Sequence, residues 1–392
     1  MTSSIQILKN VYGGDGMGRL GDGRVVFVPG AWAGERVKAE IVSSKKTFVK
    51  ARLIEVEEAS EERTEPGKTV PGMVYAGLSF KGENEAKRAQ LEEALTRARI
   101  EHPAVETIAT EKMLNYRNKV TYHFEGTKIG YLREPEHKVE EVFEDPLAVE
   151  AINAALPEIR KHVTMLLTQG ARQVQKAVAQ KECVTVRWSA QSGVKWWLGN
   201  DAKDAVMREM TLGKTFEVPS DGFYQVNPEA GEKLVQAAKR EYLAGKDKAP
   251  NILDLYCGVG VFGVCCEPPK LTGIESGRKA VEFARKNAER AGQSGTFYAE
   301  EVGRNMRRIG IGSQTCVIVD PPRDGLERGV AEWLARSRAP RIIYASCDPA
   351  TLTRDLRTLV KGYKVERVSW VNMFPRTARF ETLVTLGRRE VF

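Results

Sequence analysis

The second half of the chain alternates short apolar runs with amphipathic stretches. Apolar runs occur at 251–256, 271–274, 296–299, 315–319 and 341–345. The intervals carry helical patterns, as at 277–291. Two more apolar runs, 365–371 and 382–386, follow without a helix between them. This rhythm predicts an α/β, Rossmann-like doubly wound sheet that closes with an antiparallel hairpin. The N-terminal 60 residues read differently. Gly13, Gly14, Gly16, Gly18, Gly21 and Gly23 mark turns, and strands are expected at 24–29, 35–43 and 48–56. Short strands between Gly-rich turns predict a small OB-like β-barrel. A charged linker is expected at 57–72 and a helix at 83–99. Residues 104–210 mix strands (119–124, 128–132, 183–188, 194–198) with a helix at 148–167. Three parts are expected: a barrel at 1–60, a central α/β region at 61–215, and an α/β domain at 216–392. The 83–99 helix is assigned to the central region or to the last domain.

Composition narrows the class. The 392 residues are 42% hydrophobic and 29% charged, which excludes fibrous and disordered chains. No apolar stretch approaches the roughly 20 residues of a membrane span. The first ten residues lack a charged-then-apolar signal pattern. Six cysteines follow no framework spacing, so a reduced, cytoplasmic protein is expected. Four scattered histidines and no Cys-x-x-Cys pair argue against a metal site. The net charge is +8, most of it in residues 221–392. That excess suits a polyanion such as RNA, and equally a solvated surface. Lys45, Lys46, Lys50 and Arg52 lie beside the last barrel hairpin, where an RNA-binding barrel and a structural barrel are both open readings.

The candidate chemistry lies where apolar runs end. Asp254-Leu255-Tyr256-Cys257-Gly258-Val259-Gly260 leads a strand into a Gly turn that admits a ligand close to the backbone. Glu275 ends the next strand, about 20 residues on, where a carboxylate can hold ribose hydroxyls. A nucleotide, a nicotinamide cofactor and S-adenosylmethionine are all open on these residues. The third glycine, Gly263, falls one place late for a dinucleotide, which favours S-adenosylmethionine. Asp320-Pro321-Pro322-Arg323 holds Asp320 at the end of the fourth strand. Amino-methyltransferases carry an aromatic residue where Arg323 stands. Cys347, in Ser346-Cys347-Asp348-Pro349, precedes a helix N-terminus, which favours the thiolate. Glu381 opens the last strand, with Arg376 and Arg379 before it to hold phosphates or orient the carboxylate.

In order and spacing these motifs, with Phe223-Tyr224-Gln225-Val226-Asn227, resemble the RNA uridine C5-methyltransferases. Tyr116-Arg117-Asn118-Lys119 is similar to a further segment of that family. Residues 1–60 resemble the RNA-binding TRAM domain. The resemblance implies S-adenosylmethionine as cofactor, held by Gln225, Tyr256, Gly258, Gly260, Glu275 and Asp320. It implies Cys347 as nucleophile and Glu381 as base, with Arg323, Arg376, Arg379 and Lys119 on the RNA. Ribosomal RNA is expected ahead of transfer RNA, with no membrane partner and a monomeric enzyme. An amino-methyltransferase and a non-catalytic RNA-binding protein are the competing expectations. The chain departs from many members in lacking four cluster-binding cysteines. Their run is Met73-Val74-Tyr75-Ala76-Gly77-Leu78-Ser79-Phe80, and a later position falls at Asp145. No iron–sulfur cluster is therefore expected. Val261, Asn372 and Arg379 also replace the usual Asn, Asp and His.

Overall fold

The computed structural model describes residues 2–133, 137–202, 205–306 and 308–389. They form two compact units: residues 1–93 with 374–380, and residues 94–373 with 381–392.

In the first unit, β1 (Thr2–Asn10), β2 (Gly16–Arg19), β3 (Val25–Val28), β4 (Arg36–Ser44) and β5 (Phe48–Glu58) close a barrel in the order β1-β2-β3-β5-β4. Its core is Ile5, Ile7, Val26, Val28, Val37, Ala39 and Val49. Two of these strands were not foreseen. β1 shows the expected alternation only at Ile5 and Ile7, and β2 lies in the glycine run read as turns. Gly16 and Gly18 are strand residues because the backbone passes too close for a side chain. A Cβ at either would lie 2.5 Å from a carbonyl, that of Ala31 or Gln6. Helix α1 (Phe80–Arg97) follows, burying Leu91 and Leu95.

The second unit begins with β6 (Val105–Ile108), then β7 (Lys119–Glu125), β8 (Lys128–Arg133) and β9 (Lys138–Glu141). Helices α2 (Glu150–Thr168) and α3 (Arg172–Ala179) precede β10 (Cys183–Ser189) and β11 (Gly193–Leu198). An antiparallel sheet runs β11-β10-β7-β8-β9. The hairpin β12 (Val206–Thr211) and β13 (Lys214–Pro219) and helix α4 (Pro228–Ala244) lead to the third sheet.

That sheet has eight strands. β14 (Asn251–Leu255), β15 (Leu271–Glu275), β16 (Gly295–Ala299), β17 (Thr315–Val319) and β18 (Arg341–Ser346) are parallel. Helices α5 (Val261–Cys266), α6 (Arg278–Arg290), α7 (Val302–Asn305), α8 (Val330–Arg336) and α9 (Pro349–Leu359) join or follow them. β19 (Tyr363–Val371) and β20 (Glu381–Arg388) complete an order β16-β15-β14-β17-β18-β20-β19-β6. β20 is antiparallel to both neighbours. The central strands are continuous apolar runs because both faces are covered: Val317, Ile318 and Val319 are fully buried, as are Ile342 and Ile343. Among the described residues, no helix is long and apolar enough to cross a membrane.

Candidate active site

The ends of neighbouring strands bring the chemistry together. β15 ends at Glu275, and Tyr256 follows β14. Asp320 follows β17, and Cys347 follows β18. These strands are parallel, so all four residues lie along one edge of the sheet. In an open α/β sheet that edge is where ligands bind. β20 runs the other way and begins there, at Glu381. The last pair between β18 and β20 is Ser346 with Thr382. Cys347 and Glu381 are the chain neighbours of that last pair, one following Ser346 and the other preceding Thr382.

A cleft opens beside the Gly turn. Its lining includes Gln225, Tyr256, Gly258, Val259, Val261 and Asp320. Phe223 stands 69% exposed at this lining. Gly258 and Gly260 both have positive φ, 53° and 87°, which explains glycine at these two places. Tyr256 also has positive φ, 61°, a strained conformation for a bulky residue. Its hydroxyl accepts the Glu327 N–H at 3.4 Å. Glu275 lies beside the cleft lining. Its carboxylate accepts the Gly258 N–H at 3.2 Å and the Gly277 N–H at 2.7 Å, so it braces the turn and the start of α6.

Burial raises three carboxyls under this edge above the usual carboxylate range. Asp254 is buried and accepts the Gly263 N–H at 2.9 Å. Burial, with Asp320 and Glu275 nearby, pushes it up to about 7. Among the described residues its Oδ1 has no hydrogen-bond partner. Burial also pushes Asp320 up to about 7. Glu381 is 5% exposed, and burial with the charge of Asp320 raises it well above the usual carboxylate range, against the opposing pull of Arg323. Such a site suits a cationic ligand, and a proton acceptor that ionises as that ligand or a substrate arrives. S-adenosylmethionine fits these residues: a sulfonium cation, a ribose for Glu275, and a cleft floored by Gly258. Cys347 is half-buried, and all six cysteines are thiols. Burial raises the other deep thiols, Cys257, Cys265, Cys266 and Cys316, away from reactivity.

The four basic candidates for RNA separate. Arg323 is exposed and Arg379 is half-buried, its guanidinium 3.3 Å from the Tyr12 hydroxyl. Arg376 must be corrected. It is buried, its backbone N–H donates to Glu83 at 2.9 Å, and its guanidinium donates to the carbonyls of Tyr75 and Leu78. A guanidinium spent on internal acceptors does not hold a phosphate. Lys119 is also turned inward, donating to the carbonyls of Asp221 and Gly222 at 3.3 Å. Burial and Arg187 pull its ammonium down to about 8. Sequence reasoning missed the share of the β12–β13 hairpin. It brings Thr211 to the cleft, hydrogen-bonded to the Tyr224 hydroxyl at 2.5 Å. No spacing in the sequence marked that contact.

The parallel sheet, its Gly turn and the carboxylates at its edge define a class I S-adenosylmethionine-dependent methyltransferase fold. The family model described as tRNA (Uracil-5-)-methyltransferase matches residues 160–389, and that of the TRAM domain matches residues 4–54. An uncharacterized RNA methyltransferase of Clostridium acetobutylicum is 31% identical, over 96% of this chain and 94% of its own length. The 23S rRNA (uracil(1939)-C(5))-methyltransferase RlmD of Chromohalobacter salexigens is 30% identical, over 98% of this chain and 89% of its own. In fold the chain is similar to the tRNA (uracil-54, C5)-methyltransferase of Pyrococcus abyssi, solved with S-adenosyl-L-homocysteine. The TM-score is 0.74 at 21% identity, covering 97% of this chain and all of that one. The chain belongs to the tRNA (uracil-5-)-methyltransferase family and carries a TRAM domain. It is an RNA uracil-C5 methyltransferase that uses S-adenosylmethionine.

Proposed function

We propose that the enzyme methylates C5 of a uridine in ribosomal RNA, with Cys347 as nucleophile and Glu381 as base. The observation that supports this is the β18–β20 register, whose last pair, Ser346 with Thr382, has Cys347 and Glu381 as its chain neighbours at the strand edge. Uracil C5 is too weakly nucleophilic to take a methyl group unaided. The Cys347 thiolate adds to C6, and the ring electrons collect on C5 and O4 as an enolate. S-adenosylmethionine, when bound, supplies an electrophilic methyl on sulfur. C5 would take that methyl, the electrons of the broken S–CH3 bond staying on sulfur as a neutral thioether, and Glu381 then removes the C5 proton. The electrons of the C–H bond restore the C5–C6 double bond and expel the thiolate. Glu381 must be ionised for this, so the buried acid loses its proton once cationic ligand enters the site. Gln225, Tyr256, Gly258, Gly260, Glu275 and Asp320 hold the cofactor. The target uridine is unpaired or flipped, since its ring must be reached at C6 and C5.

The 30% identical RlmD relative favours ribosomal RNA. Transfer RNA is the second reading, favoured by the fold of the Pyrococcus enzyme. RNA contact falls to the barrel, to Arg323 and to Arg379. We also propose that the enzyme works without an iron–sulfur cluster. In the run where many relatives have cysteines, Tyr75 and Leu78 are buried with Trp32. Asp145, at the later position, accepts the hydroxyls of Tyr122 and Tyr131 at 3.0 and 2.7 Å.

Nucleoside mass spectrometry on separate unmodified ribosomal and transfer RNA pools tests the reading. 5-Methyluridine is expected in the ribosomal pool and absent with Cys347→Ala. A mark on another base, or one indifferent to Cys347, overturns the chemistry. Glu381→Gln is expected to leave RNA bonded to Cys347 on a denaturing gel.

A further inference from the structure

Two loops follow β17 and β18 at the strand edge, and one buried carboxylate ties the first to the strand and helix that flank the second. The first loop runs from Asp320 to Leu326 after β17, and the second is the Ser346–Asp348 turn after β18. Asp355, in α9, is 4% exposed. Its Oδ2 accepts the Leu326 N–H at 2.9 Å, from the first loop. The same oxygen accepts the Tyr344 hydroxyl at 2.7 Å, from β18, three residues before Cys347. Its Oδ1 accepts the Arg354 guanidinium at 2.8 Å. That guanidinium continues to the carbonyls of Asp324 at 2.9 Å and Leu326 at 3.3 Å. One turn earlier, the Thr351 hydroxyl donates to the Arg323 carbonyl at 3.1 Å. The fit is close enough to demand glycine at 325. Its φ is +74°, and a Cβ there would lie 2.5 Å from Arg354 Nη2 and 2.7 Å from Asp355 Oδ2.

A carboxylate is the group that answers three donors at once: a backbone N–H, a phenol and a guanidinium. An amide in its place would accept through one oxygen and turn its NH₂ toward Arg354. The donors come from the first loop (Leu326), from β18 just before the nucleophile turn (Tyr344), and from the helix that the turn begins (Arg354). Drift of the first loop away from β18 or α9 breaks a charge-assisted bond in a buried place.

We propose that Asp355 is a positioning residue for methyl transfer, fixing the Asp320 loop against β18 and α9, the two elements that bracket the Cys347 turn, through Leu326, Tyr344 and Arg354. This rests on the reading of Cys347 as nucleophile. Asp355 touches no reacting atom. It sets the separation between the cofactor side of the cleft and the thiol, and reaction rate is steeply sensitive to that separation.

The test measures single-turnover methyl transfer at saturating S-adenosylmethionine, cofactor affinity by calorimetry, and thermal midpoint. The variants are Asp355→Ala, Asp355→Asn and Tyr344→Phe, with Cys347→Ala in parallel. Asp355→Ala is expected to slow transfer by about 100-fold and the two milder variants by about 10-fold. Cofactor affinity should stay within about threefold, which a merely structural role would not predict. If Asp355→Ala fails to fold, the two milder variants carry the test. Transfer within about twofold of the parent in variants that bind cofactor overturns the proposal, as does affinity lost in proportion to rate. If Cys347→Ala methylates normally, the nucleophile reading has failed. If Cys347→Ala is inactive and the Asp355 variants are normal, the positioning proposal alone has failed.

Discussion

One buried cluster in the N-terminal unit pairs its charges, whereas the buried acids at the strand edge of the catalytic unit do not. Glu83 and Lys87 are fully buried in α1 and pair at 2.7 Å. Arg376 completes the group, 3.5 Å from the second Glu83 oxygen. Lys87 also donates to the Phe374 carbonyl and lies over the Tyr75 ring, although burial still pulls its ammonium down against Glu83. In the catalytic unit, Asp254, Asp320 and Glu381 share one edge, all raised by burial and with Arg323 as the opposing cation on Glu381. A matched buried cluster fixes backbone; an unmatched one is a site awaiting charge from outside. The comparison separates the residues better than residue type does. An arginine expected on RNA proves structural, and the acids whose ionised forms burial disfavours gather at the strand edge.

Removing the anion from the matched cluster gives the largest expected effect. Glu83→Ala leaves two cations buried together, and should cost about 3–5 kcal/mol in the first unfolding transition in urea. A loss below about 1 kcal/mol would mean that the pairing contributes little. The unmatched cluster should respond in the opposite direction. The fold raises Asp320 from 3.8 to about 7, so the folded state binds the proton more tightly than the unfolded chain. The stability this brings is complete below about pH 4 and is lost as pH rises through about 7. Asp254 follows the same sign over the same window. Asp320→Asn should therefore stabilise the cofactor-free protein at pH 8 by about 1–3 kcal/mol and flatten its stability profile between pH 4 and 7. Equal stability of variant and parent at pH 8 would show that Asp320 ionises without cost, and would blur the contrast.

The same contrast explains what the chain made legible. Strand-end placement followed from apolar runs that stop at Glu275, Asp320 and Cys347, because a strand covered on both faces is a continuous hydrophobic run. The pairing of β6 beside β19 was not legible, since Val105 pairs with Val368, 263 positions further on, and no local pattern encodes a distant edge. β2 was hidden because its glycines answer close carbonyls, which look in sequence like turns. Arg376 was misread for a related reason. A basic residue near a proposed base resembles a phosphate contact until the carbonyls of Tyr75 and Leu78 are seen to take its donors.

The smallest effect sharpens the comparison on the RNA side. An exposed cation that meets a phosphate releases counterions on binding; one already spent on internal carbonyls releases none. Arg323 is exposed, whereas Lys119 donates to the carbonyls of Asp221 and Gly222 and is pulled down to about 8. Arg323→Gln should reduce the slope of log affinity against log salt by about 0.7, the value for one contact to a single strand. Lys119→Met should leave that slope unchanged, even if it disturbs the 221–222 backbone it holds and lowers affinity at every salt concentration alike. Filter binding across a salt series reads both. A slope change for Lys119→Met equal to that for Arg323→Gln would mean that Lys119 leaves its internal acceptors when RNA arrives, and that internal bonding alone does not divide structural cations from RNA-binding ones.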